Sequence, residues 1–263
     1  MKAESAVEVH HLLEGPEDAP VLVLSNSLGT TLEMWDKQAR ALGEPFRLVR
    51  YDHRGHGGSP VPPGPYRIED LGRDVMVLLD RLEVERFSFC GLSIGGMVGM
   101  WLAGEIPERV EHLVLCCTAA SFDPDAYRSR ARTVRKHGVA EVADAVLERW
   151  FTPDFRERRP DVLEWAGRML RGTPPEGYAG CCEAIAEADL VTRLGAIRAT
   201  TLIIAGAEDP AAPPQRSESI HDAVREARLE ILSPAAHLAN VESPAAVTGA
   251  ILRHLQAAAR EEA

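Results

Sequence analysis

A serine with glycine two residues away on either side, Gly91-Leu92-Ser93-Ile94-Gly95, lies between two apolar runs. Ahead of it, Arg86 to Cys90 reads as a buried strand. Behind it, Ile94 to Gly104 reads as a helix. A strand that passes into a helix this abruptly needs a sharp turn with strained backbone angles. The residues at ±2 must be small, because strand and helix approach one another there. Such a turn lifts the serine hydroxyl out of the sheet and aims the positive end of the helix at whatever reacts with it. The five residues alone describe many glycine-rich turns. Their place between strand and helix makes Ser93 a candidate nucleophile.

The surrounding chain repeats the same alternation. At 263 residues it suits one domain, or one domain with an insertion. Strands are expected at Val7–Leu13, Val21–Ser25, Phe46–Tyr51 and His112–Cys117, with helices at Leu32–Leu42 and Ile68–Leu82. Val21–Ser25 is almost wholly apolar, which predicts burial on both faces of a parallel sheet. From Ser121 to Leu194 no strand pattern appears. Four helices are predicted there, near Asp125–His137, Val139–Trp150, Pro160–Arg171 and Pro175–Ala188, with proline and glycine between them. The alternation then resumes: strand Thr201–Ala205, helix Gln215–Val224, strand Leu229–Leu232 and helix Ala245–Ala259. The expected layout is an α/β core from residues 1–120 and 195–263, with a helical cap from 121–194 over the C-terminal edge of the sheet.

Where a serine occupies such a turn, the acid and then the base follow it in chain order. Asp209 comes just past the strand Thr201–Ala205, and a carboxylate there points into the crevice that holds Ser93. Glu208, one residue earlier, is the alternative. Asp209 matches the usual position of the acid. Of nine histidines, only His237 occupies a loop after the last strand. A neutral imidazole there is suited to take the Ser93 proton while Asp209 holds its tautomer. Ser25-Asn26-Ser27-Leu28-Gly29 follows the buried strand at Val21. The backbone N–H groups of Leu28 and Ile94 are assigned to the oxyanion hole on that basis. A second glycine-rich loop, Asp52 to Ser59, carries Arg54 and two histidines and is read as a tight, hydrogen-bonded structural turn.

Charge and cysteine usage bound the partners. The formal net charge of −11 repels nucleic acid and anionic lipid, so neither is expected as a partner. Five cysteines, four of them in the adjacent pairs Cys116-Cys117 and Cys181-Cys182, suit buried thiols in a reducing cytoplasm. No cluster has metal-ligand spacing, so neither metal nor cofactor is expected. Met1 to Glu8 lacks the basic and apolar regions of a secretion signal, and no apolar run reaches membrane-spanning length.

These motifs resemble the α/β-hydrolase superfamily along the whole chain, which implies an α/β-hydrolase fold. More narrowly the chain resembles the 3-oxoadipate enol-lactonases. The resemblance rests on Leu24-Ser25-Asn26-Ser27-Leu28-Gly29-Thr30, Met34-Trp35-Asp36, Tyr51 to Gly57 and the Ser93 elbow. It continues through Arg149-Trp150-Phe151-Thr152-Pro153, Gly177-Tyr178 with Cys181-Cys182, Ala205 to Asp209, and Ala236 to Glu242. Most members of the superfamily carry His-Gly where this chain has Asn26-Ser27, and that departure favours the lactonase group. The resemblance implies hydrolysis of an anionic enol-lactone through an acyl-enzyme in aromatic catabolism, by the hydrolase part alone, with Trp150 lining the substrate pocket. A general carboxylesterase, a haloperoxidase-like perhydrolase and a ligand receptor on the same fold remain as alternatives. The substrate carboxylate would need local positive potential. The basic residues of the cap include Arg128, Arg130, Arg132, Arg135, Lys136, Arg149, Arg156, Arg158, Arg159, Arg168 and Arg171, and the pattern singles out none of them.

Overall fold

Seven short apolar runs pair into a single sheet in the order β1-β3-β2-β4-β5-β6-β7. The computed structural model describes residues 6–261. Most of the segment read as lacking a secretion signal lies outside those residues. The strands are β1 (His11–Glu14), β2 (Val21–Ser25), β3 (Arg47–Tyr51), β4 (Phe87–Leu92), β5 (Val110–Cys116), β6 (Thr200–Gly206) and β7 (Arg228–Leu232). All neighbours are parallel except the edge pair β1–β3, where His11 faces Tyr51. The central strands β2, β4, β5 and β6 are buried almost throughout, as their unbroken apolar runs require.

Helices cover both faces: α1 (Asp36–Leu42), α2 (Ile68–Arg81), α3 (Ile94–Glu105), then α4 (Pro124–His137), α5 (Ala140–Trp150), α6 (Pro153–Arg158), α7 (Pro160–Arg171) and α8 (Pro175–Glu187). After β6 come α9 (Pro214–Ala223), α10 (Ala239–Glu242) and α11 (Pro244–Glu261). Every residue of α3 from Ile94 to Ala103 is buried, so this helix has no polar face. Five helices, α4 to α8, lie between β5 and β6. An antiparallel bridge between Ser121 and Asp189, and a Leu190 N–H to Ala120 O bond of 2.9 Å, bring the two ends of this insertion together. None of the described helices is long and apolar enough to cross a membrane.

Three of the differences from the sequence reading have a clear local reason. The first strand begins at His11 rather than Val7. The preceding residues are held by side chains instead of a ladder: Val7 N donates to Asp74 Oδ1 at 2.8 Å and His10 N to Ser59 Oγ at 2.9 Å. The helix expected over Leu32–Leu42 starts as a 3₁₀ turn at Leu32–Trp35, where Asp52 Oδ1 takes the Leu32 N–H at 2.8 Å. The insertion also gains α6. There Pro153 is the first helical residue and the Thr152 hydroxyl caps the Phe155 N–H, so the proline opens a helix.

Candidate active site

Ser93 is the single residue between β4 and α3. Its backbone sits at φ 57 and ψ −116, a conformation that costs an L-residue about 1–3 kcal/mol. The surroundings hold it there. Ser93 N donates to Cys116 O at 3.0 Å, and its carbonyl accepts Thr118 Oγ1 at 2.7 Å and Met97 N at 3.1 Å. The flanking glycines are required by contact. A Cβ on Gly91 would lie 2.2 Å from Gly95 O, and one on Gly95 would lie 2.6 Å from Ser25 O. Strand, helix and the loop after β2 therefore meet at distances that exclude any side chain.

Past the end of β6, Asp209 is 3% exposed and spends one carboxylate oxygen on its own loop. Oδ1 accepts Ala211 N at 2.8 Å and Ala212 N at 2.9 Å. Oδ2 meets His237 Nδ1 at 2.8 Å. A carboxylate facing Nδ1 fixes the proton on that nitrogen and leaves Nε2 as the acceptor. Glu208 is exposed and its side chain makes no such contact, so the structure brings Asp209, not its neighbour, to the imidazole. Ser93 and His237 line one cavity. Among the described residues their side chains are not yet hydrogen-bonded to each other, a contact that often tightens only with substrate in place.

The loop Ser25–Thr30 packs against Ser93 from the other side. Its N–H groups are nearly all engaged: Ser27 on Met34 Sδ, Gly29 on His56 Nε2 at 3.0 Å and Thr30 on Ser27 O. On the serine side, Ser93 N and Gly95 N are engaged as well, the latter on Asn26 O at 3.1 Å. Among the described residues, the N–H groups of Leu28 and Ile94 remain without a partner. Both residues are buried, and Leu28 lines the cavity. Two unspent donors at this seam are what a developing oxyanion needs.

The loop from Asp52 to Ser59 forms the expected tight turn and also braces this seam. Arg54 is paired bidentately with Asp74 of α2, at 2.6 Å for each contact. His53 Nε2 donates to Asn26 O at 3.0 Å, the carbonyl that also receives Gly95 N. His56 Nε2 accepts from Gly29 N, so its proton sits on Nδ1, facing Arg54 O at 3.3 Å. Burial holds both imidazoles neutral, with His53 pulled down to about 3 and His56 to about 4. Sequence reasoning missed this bracing, because the histidines reach their partners through space.

The cavity holds about 330 Å³. Its floor is Ser27, Leu28, Ser93 and His237; the inserted helices supply Tyr127, Arg130, Val146, Arg149, Trp150 and Tyr178. Trp150 is 3% exposed, so its indole packs the inserted layer while presenting one edge to the cavity. Two groups stand out among the basic residues of this layer. Arg128, Arg135, Arg158, Arg159, Arg168 and Arg171 are paired with carboxylates away from the cavity. Arg130 and Arg149 line the cavity, and neither has a carboxylate partner among the described residues. Burial, and then the charge of Arg130, pull Arg149 below its ordinary pKa. Arg130 lies over the Tyr127 ring, 4.8 Å from its centre. The Tyr178 hydroxyl is fully buried beside the Arg130 guanidinium. This part of the wall is therefore cationic; Arg216 of α9 adds a third guanidinium to the lining and Asp123 a carboxylate.

A strand-borne serine elbow, a His–Asp pair after the last strands and helices inserted after β5 define a class. Residues 20–244 match the family model described as alpha/beta hydrolase fold, and the chain belongs to that family. Within it, the chain is 41% identical over 246 residues to 3-oxoadipate enol-lactonase 2 of Acinetobacter baylyi, covering 93% of this chain and 92% of that protein. The crystal structure of the enol-lactonase from Burkholderia xenovorans LB400 superposes with a TM-score of 0.93 at 43% identity, covering 96% of this chain and 99% of that one. A thermophilic esterase from Thermogutta terrifontis, solved with malate bound, superposes with a TM-score of 0.90 at 29% identity, covering 96% and 94%.

Proposed function

We propose that this protein is a serine hydrolase that opens an enol-lactone bearing a free carboxylate, with 3-oxoadipate enol-lactone as its substrate. Arg130 and Arg149 carry the reading: these guanidiniums, without a carboxylate ion pair among the described residues, share a cavity with Ser93 and His237, beside Arg216 and Asp123. An anionic substrate supplies the missing counter-charge, and a guanidinium fork matches a carboxylate well. The likeness to the enol-lactonases of Acinetobacter baylyi and Burkholderia xenovorans supports the lactone.

The geometry supports the following steps. Ser93 Oγ attacks the lactone carbonyl while His237 Nε2 takes its proton. Asp209, at 2.8 Å from Nδ1, stabilises the imidazolium. The carbonyl oxygen becomes an oxyanion held by Leu28 N and Ile94 N. Collapse breaks the ring C–O bond, and His237 returns its proton to the departing enol oxygen. Because the ring is tethered to the acyl group, the product of this step stays on the enzyme as an acyl-serine ending in an enol. Water, activated by His237, then frees the acid, and the enol tautomerises to the ketone. Trp150 forms part of the wall against which the ring lies, and residues 121–194 act as the cap that closes over it. No step calls on a cofactor. The five free, buried cysteines support a reducing, cytoplasmic setting.

The test compares kcat/KM for the enol-lactone, its side-chain methyl ester and a short p-nitrophenyl ester. The lactone should be preferred to its methyl ester by about tenfold or more, the scale of one lost charged hydrogen bond. Equal turnover of the neutral analogue, or preference for the nitrophenyl ester, would move the assignment to a general esterase, as the likeness to the Thermogutta terrifontis enzyme allows.

A further inference from the structure

The end of α5 and the start of α6 reach across to the loop that carries His237, and they fasten it on both sides. On one side, Leu238 N donates to Trp150 O at 2.9 Å. On the other, Ala236 N donates to Glu242 Oε2 at 2.9 Å. The Glu242 carboxylate sits at the end of α10 and is shared with the inserted helices. Its Oε1 accepts the Thr152 hydroxyl and, at 3.3 Å, the Thr152 N–H. The same hydroxyl oxygen accepts the Phe155 N–H at 3.3 Å, where it caps α6. One carboxylate therefore joins the residue before His237 to the seam between two inserted helices. The residue after His237 is joined to the last carbonyl of the first of these helices.

We infer that Glu242 is a positioning residue: it clips the inserted helical layer to the His237 loop, so that the imidazole is aligned while that layer is seated over Ser93. The inference rests on the reading of His237 as the base. The chemistry of the acceptor makes the clip specific. Three N–H or O–H donors converge on it, and only a carboxylate offers acceptors on both oxygens. A carboxamide in its place turns an N–H₂ toward at least one of those donors, and a donor facing a donor pushes the loop away. Displacing a base by about an ångström costs on the order of a hundredfold in rate without changing how substrate binds. The device also accounts for the Thr152 position. The hydroxyl that caps α6 gives its proton to Glu242, on the helix that follows the His237 loop.

The experiment uses the full chain, with Glu242→Gln, Thr152→Val, Thr152→Ser and His237→Ala beside the wild type. Steady-state rates on the enol-lactone and on a p-nitrophenyl ester are normalised to active sites titrated with a p-nitrophenyl phosphonate, and melting temperatures are recorded. Glu242→Gln should lower kcat by about tenfold or more with KM within about threefold. Thr152→Val should fall in the same direction by less, and Thr152→Ser should retain wild-type kcat. In the proton NMR spectrum, the low-field resonance of the His237–Asp209 hydrogen bond should shift or broaden in Glu242→Gln. Wild-type kcat per titrated site in both Glu242→Gln and Thr152→Val, with only their melting temperatures lowered, would overturn the inference and leave a structural clasp. Should Glu242→Gln fail to fold, the Thr152→Val and Thr152→Ser pair decides the same question. A His237→Ala variant that still turns over normally would instead remove the reading of His237 on which the clip depends.

Discussion

At the scale of single residues, Ser93 combines strain with little packing. Its backbone conformation is held by Cys116, Thr118 and Met97. Replacing its hydroxyl with hydrogen therefore leaves the turn intact. Ser93→Ala should abolish measurable turnover while melting within about 2–4 °C of wild type, the shift equivalent to about 1 kcal/mol in a chain of this length. Near-normal activity in that variant would end the covalent mechanism. Arg130 and Arg149 are expected to act on binding. Arg149→Met should raise KM for the enol-lactone about tenfold or more and leave KM for a neutral ester unchanged. An equal rise for both esters would mean that Arg149 only shapes the cavity. The brace histidines predict a pH effect on stability. Both are neutral in the fold, at about 3 and about 4, against an ordinary 6.5. The unfolded chain binds their protons first, so stability is complete above pH 6.5 and falls as pH drops from there toward 4. Urea unfolding at pH 8 and pH 5 should differ by a few kcal/mol. No difference would show that these imidazoles do not remain neutral in the fold.

At the scale of elements, the buried Arg54–Asp74 pair joins the turn after β3 to α2. It also anchors Val7, whose N–H lies on the same carboxylate. Both side chains are essentially without solvent. Removing one partner leaves a buried charge uncompensated, so Asp74→Ala should destabilise the protein by about 3–5 kcal/mol in urea unfolding, with most of the loss absent from the exposed Arg168–Glu164 pair as a control. Less than about 1 kcal/mol would show that the pair is not what holds the turn. The same elements show what the sequence could convey. Central strands were legible because continuous apolar runs admit few other readings. The first strand was not, since its opening residues pair with Asp74 and Ser59 from distant segments. The helix after Pro153 was hidden because proline both ends helices and begins them, and only the Thr152 cap decides between the two. Candidate site residues on loops after strands could be ordered along the chain. Arg130 and Arg149 could not be told from their basic neighbours, because which basic side chain turns inward is settled by how α4 and α5 pack over the sheet. The insertion of helices after β5 was visible as a change of period, but not the tie from Glu242 back to Thr152, which spans 90 positions.

At the scale of the whole molecule, two opposed fields act on an anionic substrate. The chain carries a formal net charge of −11, spread over its surface, yet the cavity wall around Arg130 and Arg149 is positive. Approach from solvent is opposed by the first field, and seating is favoured by the second. Salt separates them, because the Debye length shrinks from about 30 Å at 0.01 M to about 8 Å at 0.15 M, while partly buried contacts are screened much less. Surface charges act over tens of ångströms and are the first to be screened. Two half-buried guanidiniums at contact distance lose less. KM for the anionic lactone should therefore fall or stay level between about 0.02 and 0.5 M salt, with a neutral p-nitrophenyl ester flat over the same range as control. A protein that drew in its substrate by general surface attraction would show the opposite sign. In Arg149→Met the raised KM should persist at every salt concentration, since what is lost is a contact at short range. A KM for the lactone that climbs about tenfold with salt in the wild type would place the attraction on exposed charges. Arg130 and Arg149 would then no longer explain how a negatively charged protein could accept the negatively charged ring proposed for it.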